Sequence, residues 1–216
     1  MENYHSILRS LLLAAEFLSA IIALVYVFKM NWSYWSWFCI YLLFIFIQEL
    51  YWFFNESLFN VTAQTYYAFI GIPVQYLFFF WLFALKSLKN KALFFGCLII
   101  YLSTYIPVEV YYKKIDTIYS LNLTTGTLLL LVLIIMEFIK QIKSDDILKF
   151  RENRMFYITI GVVLFFIGTY PFFAFYDILH GNTYHKIWEM YYLYFIISNC
   201  CMYVLFGVSL IWGKTR

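Results

Sequence analysis

Six polar residues lie where an apolar chain can least accommodate them: Glu16, Gln48, Glu49, Gln75, Tyr170 and Asn199. Carboxyl, carboxamide and phenol groups together can bind a proton, a cation or a small polar ligand. All six fall inside long apolar segments. An ionisable group facing lipid costs roughly 3 kcal/mol or more, so such groups turn inward and by default mark function. The six therefore form a candidate ligand or ion pocket. Glu16 is the acid set deepest, with no basic residue in reach on its own helix. It has two readings: a polar clamp hydrogen-bonded by Tyr, Gln or Asn from another helix, or a proton or cation site. No Lys or Arg lies in the middle of any apolar segment, so no buried ion pair is expected to neutralise it. Asn122, Thr124 and Thr125 add neutral polar groups to the interior.

Other chemistry is thin. Glu137 stands three residues before Lys140, a spacing that pairs the two on one helical face while both reach the headgroups. The four cysteines, Cys39, Cys97, Cys200 and Cys201, all sit in apolar segments and read as packing residues. His5, His180 and His185 lie at segment edges; the last two are five residues apart, unsuited to a helical metal pair. No metal site and no cofactor are expected. Phosphate loops, nucleophile elbows and zinc helices are missing, so the chain reads as a non-enzyme. Its basic residues lie in loops rather than in an aromatic-interleaved strand, which argues against nucleic acid. Those of the loop from Gln141 to Arg154, namely Lys143, Lys149, Arg151 and Arg154, form a candidate surface for a cytoplasmic protein partner.

Seven apolar segments must position these groups: Ile7 to Phe28, Tyr34 to Phe54, Thr65 to Leu85, Leu93 to Val108, Ile118 to Ile139, Phe156 to Tyr176 and Trp188 to Trp212. Each is long enough to cross, or nearly cross, a hydrocarbon layer of about 30 Å as a helix. The chain is 64% hydrophobic and 12% charged with a mean hydropathy of +0.78, values that place it in the lipid bilayer. A single seven-helix transmembrane domain over 1–216 leaves no room for a soluble one. The first segment lacks a positive leading region and carries Glu16, so it reads as a retained helix rather than a cleaved signal.

Loop charges set the orientation. Of the 15 Lys and Arg, Arg9, Lys113, Lys114 and Lys186 fall on the side of the N-terminus and all others on the opposite side. The positive-inside bias then puts the N-terminus outside and the C-terminus in the cytoplasm. Pro73, Pro107 and Pro171 each remove a backbone donor within a segment and predict kinks in the outer half. Aromatic residues make up 25% of the chain. Trp32, Trp35, Trp37 and Trp212 suit the membrane interfaces, while Tyr41, Tyr76, Tyr101, Tyr170 and Tyr194 lie deeper, where a hydroxyl needs a partner.

The run Gly168-Thr169-Tyr170-Pro171-Phe172-Phe173 is similar to the Tyr-Pro of the sixth helix in microbial rhodopsins. Retinal chemistry would require a lysine in the middle of the seventh segment, and Lys186 and Lys214 lie only at its ends. A light-driven pump is excluded. Three stretches carry a broader resemblance: Tyr67-Ala68-Phe69-Ile70-Gly71-Ile72-Pro73-Val74-Gln75-Tyr76-Leu77-Phe78-Phe79-Phe80, Phe156 through Pro171, and Ile197-Ser198-Asn199-Cys200-Cys201-Met202-Tyr203. Together they resemble a family of small seven-span proteins from Bacteroidetes with no established activity. That resemblance implies the topology and a bacterial inner-membrane location, and no site.

The expected function is a non-enzymatic sensor or receptor-like module that takes a signal in the outer half and passes it to a cytoplasmic partner. The alternative is an oligomeric pore or accessory membrane effector, built from copies of the chain with Glu16 and Glu49 lining an ion path. Size and implied host put an accessory role in a CRISPR or other defence locus within that alternative.

Overall fold

A computed structural model describes residues 2–30, 33–55, 57–58, 61–106, 115–144, 146–170 and 185–213. Helices dominate them: α1 (Glu2–Val27), α2 (Tyr34–Phe54), α3 (Ala63–Ser87), α4 (Lys91–Ser103), α5 (Ile115–Lys143), α6 (Arg154–Phe166) and α7 (His185–Trp212). Parts of α1, α2, α3, α5 and α7 are long and apolar enough to cross a membrane; α4 and α6 are shorter apolar helices. By helix hydropathy this is a multi-pass membrane protein. The fourth and sixth expected segments continue into 107–108 and 171–176, outside the described residues. Pro107, Pro171, Trp32, Lys113, Lys114, His180, Lys214 and Arg216 also lie outside them.

A hairpin that the sequence did not announce joins α2 to α3. Strands β1 (Ser57–Leu58) and β2 (Val61–Thr62) pair antiparallel, Ser57 opposite Thr62. Thr62 then caps α3, its Oγ1 accepting the Thr65 N–H at 3.3 Å. Asn90 caps α4 by accepting from Leu93 N–H at 3.0 Å, and Asn153 caps α6 by accepting from Phe156 N–H at 3.4 Å. A short side-chain acceptor at this position satisfies a first-turn amide that the helix itself leaves open.

Two compact units divide the chain: Met1–Phe54 with Ser144–Arg216, and Asn55–Lys143. In the first unit α1 packs against both α2 and α7, and α7 also carries α6. Small residues make the close approach. Ala15, Ser19, Ala20 and Ala23 of α1 are buried, and a Cβ added at Gly207 of α7 would stand 3.0 Å from Ile22 Cδ1. Lipid tails are as apolar as leucine, so helix contact here depends on such close van der Waals fit. The outward faces are apolar, with Leu18 and Ile47 more than half exposed, as lipid contact requires.

In the second unit α3, α4 and α5 pack on one another. Helix α3 contains two wide turns, Tyr67–Gly71 and Trp81–Ser87. In the first, the Ile72 N–H reaches back to the Tyr67 carbonyl, five residues earlier instead of four. Pro73 follows at once. A proline ring crowds the preceding turn, and the wider turn gives it room. The kink expected at Pro73 therefore takes the form of a π turn beside it. Helix α3 ends with the Leu88 N–H on the Phe83 carbonyl (2.8 Å) and the Asn90 N–H on that of Ala84 (2.9 Å). Between them Lys89 takes a left-handed backbone, φ 55°, a region that favours glycine.

Candidate functional site

Glu16 is placed by the small-residue face of α1. The close approach of α2 and α7 covers it, leaving it 2% exposed. Tyr203 of α7 hydrogen-bonds its carboxyl group, and Glu49 of α2 lies within electrostatic reach. Gln48 Nε2 donates to Glu49 Oε1 across 3.5 Å, a long and weak bond. The buried Tyr41 on α2 and Cys200 on α7 also lie within electrostatic reach of the Glu16 carboxyl group. Three helices of the first unit thus converge on two carboxyl groups, and neither Glu49 nor Tyr203 brings a positive charge. Such a locus can hold a proton or a cation.

Three of the six expected pocket residues, Glu16, Gln48 and Glu49, come together. Asn199 is buried on α7, and its Oδ1 has no hydrogen-bond partner. It stands four residues before Tyr203, on the same side of α7, and among the described residues no hydrogen bond joins it to Glu16. Tyr170 is half-buried just past α6. Gln75 is half-buried on α3 of the second unit. Tyr203 was not singled out from the sequence. Its signal is the four-residue spacing from Asn199, which puts a second polar group on the same side of α7.

The basic loop divides by burial. Lys149 and Arg151 are exposed on a short 3₁₀ turn (Asp146–Glu152) beside Leu148 and Phe150, also exposed; with Glu152 these line a shallow depression of ≈ 540 Å³. Lys143 is exposed on the last turn of α5. Arg154 differs: grouped by sequence with a solvent-facing surface, it is 7% exposed. Its Nε donates to the Gly213 carbonyl at 2.7 Å, and Nη1 lies 3.6 Å from the Met30 sulfur. The guanidinium stands 5.3 Å from the centre of the Trp35 ring, within cation–π range. Gly213 admits this arrangement because a Cβ there would overlap Arg154 Cγ. One side chain thereby fastens the first turn of α6 to the ends of α1, α2 and α7.

In the second unit Glu137 does pair with Lys140, at 3.6 Å. It does not reach outward as expected, because it is fully buried. Ser87, in the wide last turn of α3, donates to its Oε2 at 2.6 Å, and Gln141 donates to Oε1 at 3.0 Å. With both oxygens engaged inside the helix packing, the carboxylate has no need of headgroups or water. Among the described residues no three His, Cys, Asp or Glu are placed to hold a metal ion.

No family model matches this chain, and no match is found among curated proteins or solved structures.

Proposed function

We propose that this protein is a non-enzymatic sensor or receptor-like module of the bacterial inner membrane, a single bundle of seven spans, N-terminus outside and C-terminus cytoplasmic. The observation that carries the reading is Glu16, a buried carboxyl group held by Tyr203 from a second helix and faced by Glu49 from a third. A proton or cation bound there alters contacts among α1, α2 and α7 at once. The output is a cytoplasmic protein docking on the loop around Lys149 and Arg151, where exposed Leu148 and Phe150 add apolar contact to the charge. Two carboxyl groups at one locus also suit the competing reading, an oligomeric pore in which Glu16 and Glu49 line an ion path. Planar-bilayer recording separates the two: steady cation conductance by the purified protein would sink the sensor.

Glu16→Gln retains shape and hydrogen bonding but no carboxylate. Folding should survive with an unchanged unfolding midpoint in detergent, while the response to pH or cations is lost. Glu16→Leu removes donor and acceptor together, leaving Tyr203 unsatisfied at about 1 to 2 kcal/mol, and should lower the midpoint. A Gln variant that responds like the parent would rule out Glu16 as the receiving group.

Orientation has its own test. Alkaline phosphatase fused after Arg216 should be inactive, because the enzyme folds only outside the cytoplasm. High activity would reverse every inside and outside assignment.

A further inference from the structure

Five lysines gather at one end of the second unit. Lys86 lies in the last turn of α3, Lys89 in the turn that follows, Lys91 at the first position of α4, and Lys140 and Lys143 in the last turn of α5. Their proximity follows from contact: Lys140 Nζ donates to Ser87 Oγ at 2.7 Å and to the Ser87 carbonyl at 3.0 Å, so α5 ends beside the end of α3. The two candidate membrane spans of this unit stop here, at Ser87 and Lys143. The ammonium groups therefore stand where hydrocarbon gives way to headgroups. Lys86 lies 5.2 Å from the centre of the Trp81 ring, and tryptophan favours that same level.

Glu137 is the described acid that meets the cluster, and Asp145 and Asp146 follow Lys143 in the chain. Lys140 is paired with Glu137, which is fully buried with both oxygens taken. Lys89, Lys91 and Lys143 are exposed. Lys89 keeps its side chain at a backbone geometry better served by glycine, a local cost that points to a use for the charge. A cluster of four or more lysines at the end of membrane spans attracts anionic lipid.

We propose that this lysine cluster is a binding surface for the phosphate headgroups of acidic phospholipids. The inference rests on the membrane reading of α3 and α5 and is independent of any sensing by Glu16. The protein, reconstituted in nanodiscs of mixed phosphatidylcholine and phosphatidylglycerol, is released into a native mass spectrometer and its retained lipids are counted. Wild type should retain phosphatidylglycerol selectively. The K89Q/K91Q/K143Q variant should lower that selectivity by at least about tenfold at low salt, and inorganic phosphate should not displace the lipid. K89G alone should fold more stably, through relief of the left-handed lysine, yet retain less phosphatidylglycerol. An equal loss in the charge-matched control K29Q/K149Q/R151Q would overturn the proposal, since the attraction would then belong to net charge. Displacement by inorganic phosphate would overturn it in favour of a free-anion site, and undiminished selectivity in both K89G and the triple variant would overturn it outright.

Discussion

Arg154→Ala should lower the stability of the first unit by about 3 kcal/mol, seen as a drop in the thermal unfolding midpoint in detergent. The variant loses a charge-assisted hydrogen bond to the Gly213 carbonyl, worth about 1.5 to 3 kcal/mol. It also loses the Trp35 ring contact, worth about 1 to 2 kcal/mol when desolvated. The space left by the side chain adds a cavity cost. Against these stands relief from burying a cation without a paired carboxylate, which holds the net effect below the sum. Arg154→Lys should recover little of the loss, because an ammonium group cannot reproduce the planar fork that meets carbonyl and ring together. Arg154→Met restores volume without charge. A Met variant as stable as the parent would show that packing alone, and no polar fastening, joins the four helix ends.

Gly126→Ala should destabilise the second unit by about 3 kcal/mol, which is large for one methyl group. The added Cβ would stand 2.6 Å from Tyr76 Cε2 and 2.7 Å from two further ring atoms. Tyr76 cannot swing aside: it is fully buried, and its hydroxyl is bonded to Thr127 Oγ1 at 2.7 Å and the Leu123 carbonyl at 3.2 Å. Overpacking of this kind costs about 1 to 3 kcal/mol, and displacing the ring puts both hydrogen bonds at risk. The cost should be conditional on the ring. In a Tyr76→Ala background Gly126→Ala should cost under about 0.5 kcal/mol, a coupling that a double-mutant cycle reads directly. Equal costs in both backgrounds would mean that the ring is not what the methyl group meets.

The helices were legible because hydropathy alone decides where a chain can lie in lipid, and Glu16 was legible because an acid in such a segment has no ordinary place. The Glu137–Lys140 pair also followed from spacing. Partners remote in sequence did not. Ser87 is 50 residues from Glu137, and Tyr203 was one of 21 tyrosines, with only its spacing from Asn199 to mark it. Arg154 was misplaced for a physical reason: a basic residue among basic residues reads as solvated, and only the fold brings Trp35 and a side-chain-free Gly213 to it. The hairpin at Ser57–Thr62 was too short to leave a pattern. The wide turns were equally silent, since one extra residue in a uniformly apolar helix changes no periodicity that can be read.

Those wide turns act on α3 as dislocations act on a crystal row. Each holds one residue more than the α lattice allows, so the helix face beyond it is rotated by about 100° relative to an uninterrupted helix. With defects at Tyr67–Gly71 and Trp81–Ser87, the face that carries Tyr76 and the face that carries Ser87 are set independently. Such a defect can glide: exchanging one i→i−5 bond for its neighbour moves it by a residue while almost every backbone bond stays made. Pro73 blocks that glide from one side by having no hydrogen to exchange. The first defect therefore cannot move toward the C-terminus, and the second is held at Ser87, whose hydroxyl and carbonyl engage Glu137 and Lys140.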